Sequence, residues 1–444
     1  MKQKLSIREL FTLGFFMLAL FLGAGNIIFP PLLGQEAGQS LWPAILGFLA
    51  TGVGLPLVAI ITVSIAGNID VLSKRVHPLF QMIFPFVIYL AIGPFFGIPR
   101  TATVAYEIGV FPFLSENNDI IMFVSTLLFF GLTYLLALNP AKLVDRIGKV
   151  ITPVLLILIV LIAVRGFISP LGPIGDATGK YMDKAFSSGF VEGYLTMDAL
   201  AALVFGLVVI NRIKDKGITE VSQIRSYTVK AGVIAGAGLS FVYLSLAYIG
   251  ATSVNMTGIQ DNGGAILTNV TSTFFGSMGT LILAFVIIFA CLTTSIGLVS
   301  ACGEFLTQRF KKIPYSVITA ILCLFSLTMA NLGLSQLISV SLPILTMIYP
   351  IAIVLIILSI GNTVKPVPRF VFAGAIIGAG FISVYDGLYT AGLQVEAITN
   401  VLSYLPLYEY GAGWIVPSIL GGLLSFMIYG IGILLNLRKQ SHIY

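Results

Sequence analysis

FTLGFFMLALFLGAGNIIFPPLLGQEAGQ, residues 11–39, is apolar enough to enter a membrane, yet carries Gly23, Gly25 and the pair Pro30 and Pro31 in its middle. The prolines remove two amide donors and push away the carbonyls of Asn26 and Ile27, and the glycines weaken the helix just before them. A broken helix is the expected result, with carbonyls and amides facing each other near mid-depth. Such backbone is tolerated in a bilayer only where it is buried in protein or lines a cavity. The two half-helix ends also present both poles of the helix dipole to an ion and an anion. A small-solute and cation site fits that description, although glycine and proline are also common in membrane helices generally.

The composition agrees with a membrane setting. Hydrophobic residues make up 57% of the 444, charged residues 9%, and the mean hydropathy is +1.02. So few charges cannot cover a soluble protein of this size, and an all-α integral membrane protein follows, with 1–444 as a single transmembrane domain. The net charge of +6 lies between apolar runs, which argues for topology and against nucleic-acid binding. The first run follows Lys2, Lys4 and Arg8 as a signal peptide would, but it is too long and leads into Pro-Pro. It is expected to remain as a span. Cys291, Cys302 and Cys323 show no CxxC spacing and read as small buried hydrophobes. No ATPase motif is present, no enzymatic activity or cofactor is expected, and no obligate protein partner is indicated.

Counting one span per apolar run gives twelve segments: 11–37, 42–66, 78–99, 118–138, 150–168, 194–210, 229–252, 280–304, 314–331, 334–360, 367–385 and 412–436. The stretches 94–110 and 386–408 have room for short re-entrant or surface helices. With the N-terminus in the cytoplasm, 20 of 24 Lys and Arg fall inside: Lys2, Lys4, Arg8, Lys74, Arg75, Lys142, Arg146, Lys149, Arg212, Lys214, Lys216, Arg225, Lys230, Arg309, Lys311, Lys312, Lys365, Arg369, Arg438 and Lys439. Only Arg100, Arg165, Lys180 and Lys184 fall outside. That bias predicts a multi-pass protein of the cell membrane with both termini cytoplasmic.

Local signals fill in the loops. Trp42-Pro43 and His77-Pro78 each open a segment, and His77 reads as a surface or capping residue. Pro85, Pro94 and Pro99 make the third segment irregular, with Arg100 and Glu107 placed to pair near the outer face. The loop 253–279 carries an apolar pattern through Ile266, Val270 and Phe274, which suits an interfacial helix serving as a gate or as a structural cap.

A second irregular segment lies near the middle of the chain. Ala199 to Ile210 is too short to span alone, so Gly193, Thr196 and Asp198 fall in or near the membrane. A carboxylate there pairs with a cation, titrates or lines a water path; alternatively Asp198 is an N-cap for the helix beginning at Ala199. In segment eight, LILAFVIIFACLTTSIGLVSACGEF (281–305), Ala290, Thr293 and Thr294 share an i, i+3, i+4 face able to offer a carbonyl and two hydroxyls to sodium. Packing hydroxyls bonded to their own backbone explain the same pattern.

The run Gly23-Ala24-Gly25-Asn26-Ile27-Ile28-Phe29-Pro30-Pro31, with Gly193-Tyr194-Leu195-Thr196-Met197-Asp198-Ala199-Leu200, resembles the bacterial branched-chain amino acid:cation symporters over essentially the whole chain. The resemblance implies twelve transmembrane helices in the 5+5 inverted repeat of the leucine-transporter type. The repeats would be 11–168 (helices 1–5) and 194–360 (helices 6–10), with two additional C-terminal helices in 367–436. It implies sodium-coupled uptake of leucine, isoleucine and valine by alternating access. Substrate would be held by Gly23, Ala24, Gly25 and Asn26 at its carboxylate and by Leu195, Thr196, Asp198 and Ala199 at its ammonium. One sodium site would join the Ala19 and Leu22 carbonyls to Ala290, Thr293 and Thr294; a second would use the Phe21 carbonyl, Asn26 and Thr196. Related transporters often carry an uncharged small residue near position 198, so Asp198 departs from their pattern. A proton-coupled permease titrating Asp198 is the alternative, and a non-transporting membrane sensor stands further off.

Overall fold

The computed structural model describes residues 5–114, 118–138 and 152–441, with backbone alone for 155 and 430–441. Lys2, Lys4, Lys142, Arg146, Lys149 and the first residues of the expected span 150–168 lie outside them. The helices are α1 Ile7–Phe21, α2 Ala24–Ala37, α3 Leu41–Leu49, α4 Leu55–Ala66, α5 Ile69–Lys74, α6 Pro78–Leu90, α7 Gly97–Gly109, α8 Asp119–Ala137, α9 Thr152–Ile168 and α10 Ala185–Glu192. They continue with α11 Asp198–Lys214, α12 Val221–Thr257, α13 Gly263–Phe275, α14 Ser277–Arg309, α15 Tyr315–Ala330, α16 Leu334–Val364, α17 Arg369–Thr390, α18 Glu396–Leu402 and α19 Ile415–Ser441. The chain divides into two compact units, Met1–Ile65 with Ile88–Ser341 and Ala66–Val87 with Leu342–Tyr444.

In the first unit, α1 starts with a capping box. Glu9 N–H donates to the Ser6 hydroxyl at 3.2 Å, and the Glu9 carboxylate accepts from Ser6 N–H at 3.0 Å. The Ser6 amide and hydroxyl hold the Glu9 carboxyl below the usual carboxylate range. The helix ends at Leu22, whose ψ of 76° leaves the helical region, and Gly23 is extended. The break thus lies at Leu22 and Gly23, whereas Pro30 and Pro31 sit inside α2. The prolines delete amides but do not terminate the helix. What starts α2 is the Asn26 side chain, whose Oδ1 accepts from Gly23 N–H at 3.1 Å.

Backbone-to-backbone crossings hold the outer halves of both broken segments. A Cβ at Gly34 of α2 would fall 1.9 Å from the Ala247 carbonyl oxygen, and one at Gly250 of α12 would fall 2.0 Å from that of Pro31. Only glycine permits so close a helix contact. Gly47 of α3 and Gly189 of α10 repeat the arrangement against the Phe186 and Ala44 carbonyls. Segment six breaks at Met197, a left-handed residue (φ 63°), and the two helical pieces around it are bent by 42°. The 253–279 stretch forms α13, capped by Asn262 accepting from Ala265 N–H at 2.9 Å. Its Ile266 and Val270 are buried with Ile162 and Ile249, so this helix is docked on its neighbours by one face.

In the second unit, α17 and α19 cross where Gly374 and Gly378 meet the Gly421 and Pro417 carbonyls. The His77 ring nitrogen accepts from Leu79 N–H at 3.2 Å, a capping contact on an exposed residue.

Among the described residues, seven helical runs are long and apolar enough to cross a membrane: Ala24–Ala66, Pro78–Phe113, Asp119–Ala137, Val221–Thr257, Ser277–Arg309, Leu334–Val364 and Arg369–Thr390. Ala185–Thr196 with Asp198–Lys214 makes an eighth if the bent pair is one span. The chain is therefore a multi-pass all-α membrane protein, and the twelve-span, leucine-transporter-type layout with its two appended helices is corrected to seven or eight. The reason is that apolar runs and spans do not correspond one to one. Residues 11–37 divide at Gly23, and their second part continues into the next run to give 43 residues. The third run extends through 94–110 to Phe113. Among the described residues, Thr152–Ile168 and Tyr315–Ala330 run to 17 and 16 residues, at the short end of what a span needs.

Candidate functional site

The two breaks meet. Asn26, in the first turn of α2, donates through Nδ2 to Asp198 Oδ2 at 2.6 Å and makes a further short contact with the Tyr243 hydroxyl. Tyr243, from the middle of α12, donates to the same Asp198 oxygen at 2.9 Å. Asp198 is 3% exposed and occupies the first position of α11, after Met197. The N-cap reading of Asp198 is therefore set aside: its carboxylate reaches across to α2 and α12, and it is Thr196 whose hydroxyl accepts from Asp198 N–H at 3.3 Å. The Phe48 ring packs edge-on to Tyr243 with centroids 5.2 Å apart, fixing the phenol in place.

A cavity of about 30 Å³ lies at this junction. It has room for a water molecule or a bare ion and must widen to take a branched amino acid. Of the residues singled out in the sequence, Phe21, Gly23, Ala24, Gly25, Asn26, Thr196, Asp198 and Thr294 line it, whereas Ala19, Leu22, Leu195, Ala199, Ala290 and Thr293 stand behind the wall. The hydroxyl cluster of α14 separates into different roles. Thr293 Oγ1 donates to the Ala290 carbonyl at 2.9 Å, a helix-internal bond. Ser295 accepts from Thr133 at 3.4 Å. The Thr294 hydroxyl is buried without a hydrogen-bond partner, 3.0 Å from where a Cβ on Gly23 would project. The second expected sodium set is engaged internally: the Phe21 carbonyl and Asn26 Oδ1 both accept from Gly23 N–H, and Thr196 Oγ1 donates to the Gly193 carbonyl at 2.9 Å. No cluster of three His, Cys, Asp or Glu suited to a metal exists among the described residues.

Two residues at this junction were not read as site residues from the sequence. Tyr243 is one of three tyrosines in α12, with Tyr227 and Tyr248, and nothing local marks it. Arg100 did carry a signal, since an ionisable group inside an apolar run is a site candidate by default. Ending the third segment at residue 99 placed it in an outer loop. It is 5% exposed and lines the cavity, while Glu107 accepts from Leu334 N–H at 3.3 Å.

The sequence pattern described as branched-chain amino acid transport protein matches residues 6–431. The chain belongs to that family. It is 46% identical over 433 residues to the branched-chain amino acid permease BraB of Bacillus subtilis, covering 96% of this chain and 97% of that protein. It is 44% identical over 410 residues to the branched-chain amino acid transport system 2 carrier protein of Pseudomonas aeruginosa, covering 92% and 93%. The branched-chain amino acid permease BrnQ of Escherichia coli is 40% identical over 424 residues, 94% and 95%. Family membership makes this a transport protein rather than an enzyme. Among solved structures, a nucleobase-cation-symport-1 family transporter in a closed conformation with bromovinylhydantoin bound superimposes with a TM-score of 0.60 at 14% identity, covering 94% of this chain and 92% of that one. At that identity the likeness is one of fold.

Proposed function

We infer that this chain carries leucine, isoleucine and valine across the cell membrane by alternating access, coupled to sodium, with the junction of the two broken segments as the transport site. The observation that carries this reading is the contact of Asn26 with Asp198, which ties one helix break to the other at a cavity that Leu20, Ile92, Phe205 and Leu298 wall on its apolar side. The amides of Ala24, Gly25 and Asn26 belong to the first turn of α2, which helix geometry leaves without intrahelical partners, and they suit a carboxylate. Gly23 gives the chain the extended turn that exposes them. Leu195, Thr196, Asp198 and Ala199 form the opposing, electronegative side. For sodium, Thr294 is the buried hydroxyl without a partner, and the family resemblance adds the Ala19 and Leu22 carbonyls at the end of α1 together with Ala290 and Thr293.

The experiment is initial leucine uptake by purified protein in liposomes, with sodium and pH gradients imposed separately, for wild type and Asp198→Asn. Sodium-driven accumulation in wild type, reduced at least tenfold by the substitution, is expected. Proton-driven uptake in sodium-free buffer is the second reading, favoured by the burial of Asp198 among the neutral donors Asn26 and Tyr243. Saturable binding without flux would make the chain a sensor. The N-terminal end of α1 is assigned to the cytoplasm, since Glu9 pairs with Lys216 at 3.3 Å and so shares a side with the basic 212–230 stretch, and Arg438 with Lys439 assign the C-terminal end likewise.

A further inference from the structure

A guanidinium is costly to keep in the interior of a membrane protein, so its position asks for a chemical reason. Arg100 is held over the Phe29 ring of α2 with its guanidinium carbon 5.5 Å from the ring centroid. Its Nη2 lies 3.1 Å from the point where a Cβ on Gly25 would project, and the Leu195 carbonyl oxygen lies 3.3 Å from that same point. The missing side chain of Gly25 therefore leaves a niche where the first turn of α2, the backbone of segment six and a buried cation converge. Asp198 lines the same cavity as Arg100. The side-chain hydrogen bonds it accepts from Asn26 and Tyr243 both reach Oδ2 and come from neutral donors.

One cavity thus carries a fixed positive group and a fixed negative group, with Leu20, Ile92, Phe205 and Leu298 as apolar wall. An α-amino acid zwitterion has the complementary pattern: a carboxylate and an ammonium on one carbon, and an apolar side chain. We propose that Arg100 is the carboxylate anchor of the transport site, acting beside the α2 amides, while Asp198 receives the ammonium. This rests on reading the chain as an amino acid transporter. Guanidinium suits the task because its planar donors match a carboxylate bidentately and its charge persists at any working pH. It would also explain how a site for apolar side chains rejects other apolar solutes, since a zwitterion complements both charges and an uncharged solute complements neither.

The test is competition against labelled leucine uptake in liposomes by unlabelled leucine and by leucinol, which keeps the ammonium and the side chain but has no carboxylate. In wild type, leucinol should compete about 10- to 100-fold more weakly than leucine, the worth of hydrogen bonds to a charged group. Arg100→Gln should raise the half-inhibitory concentration of leucine by a similar factor and leave that of leucinol nearly unchanged, so that their ratio collapses; Arg100→Lys should retain part of it. If Arg100 only balances the charge of Asp198, both competitors weaken together and the ratio stays, which overturns the assignment. Should Arg100→Gln not fold, Gly25→Ala crowds the same guanidinium, and an unchanged ratio there overturns it as well. Leucinol competing as well as leucine in wild type does so without any variant. Wild-type liposomes that take up no leucine would instead defeat the transport reading itself.

Discussion

Thr294 and Ser295 are neighbours in the chain with different surroundings, and that difference makes them a matched pair. The Thr294 hydroxyl is buried beside Gly23 without a partner, whereas Ser295 meets Thr133. Thr294→Ala is expected to raise the half-saturating sodium concentration for leucine uptake about tenfold, the worth of roughly 1.4 kcal/mol; Ser295→Ala should leave it within about twofold. Equal values would return Thr294 to a packing role. The sequence showed that three hydroxyls stood together and could not all face one way. It did not show which of them its own helix already satisfies, because the Thr293 bond to Ala290 depends on a rotamer. Asn26 and Asp198 were legible as unusual polar residues at two breaks, but 172 positions separate them and only the folded chain joins them. Tyr243 was illegible for the same reason.

At the scale of elements, both breaks were foreseen, the first with the wrong cause. Pro30 and Pro31 were expected to end the helix, yet they lie within α2, and the turn belongs to Leu22 and Gly23, where the Asn26 side chain restarts the helix. A proline in a membrane helix deletes a bond that neighbours can replace, so it bends or passes unnoticed as often as it breaks. The crossing of α2 with α12 is then held by glycines. Gly250→Ala puts a methyl 2.0 Å from the Pro31 carbonyl oxygen and should cost about 1–3 kcal/mol by overpacking. Gly232→Ala on the same helix meets only Leu57 and Met17 at ordinary contact distances and is the control. The comparison is thermal stability in detergent, and equal melting temperatures would mean that the crossing yields freely. At the start of α1, the Glu9 carboxyl is held below its ordinary range, so the folded form binds its proton less readily than the unfolded chain. Its contribution is present above the usual carboxylate pKa and lost as the pH falls through the lowered value. The stability gap between wild type and Glu9→Gln should accordingly close on acidification below about pH 4.5, and a gap that is constant from pH 7 to 3 would remove the cap from the account.

For the whole molecule, the count of apolar runs proved a poor guide to spans, because one run divides at Gly23 and its second part joins the next run in a single 43-residue helical run, Ala24–Ala66. The proposed sidedness is argued instead from helices long enough to cross. Taken as one span, the bent pair α10 and α11 separates Lys180 from Lys216, and α12 and α14 separate Lys216 from Lys311 by two crossings. The intervening α13, with 13 residues, extends about 20 Å and is too short for a hydrocarbon core of about 30 Å. Lys216 and Lys311 must therefore share a face, and Lys180 must lie on the other. Arg212, Lys214, Lys216, Arg225 and Lys230 on one stretch, with Arg309, Lys311 and Lys312 on the next, are the reason for proposing that this shared face is the cytoplasmic one. Glu9, paired with Lys216, brings the N-terminal end of α1 to the same side. Single cysteines replacing Lys216 and Lys311 should resist an impermeant thiol reagent added to intact cells, and one replacing Lys180, whose side chain is 52% exposed, should react. Labelling of Lys216→Cys and Lys311→Cys with protection of Lys180→Cys would turn the molecule over. Labelling that separates positions 216 and 311 would contradict the pair of crossings by α12 and α14, and with it the path of the chain around α13.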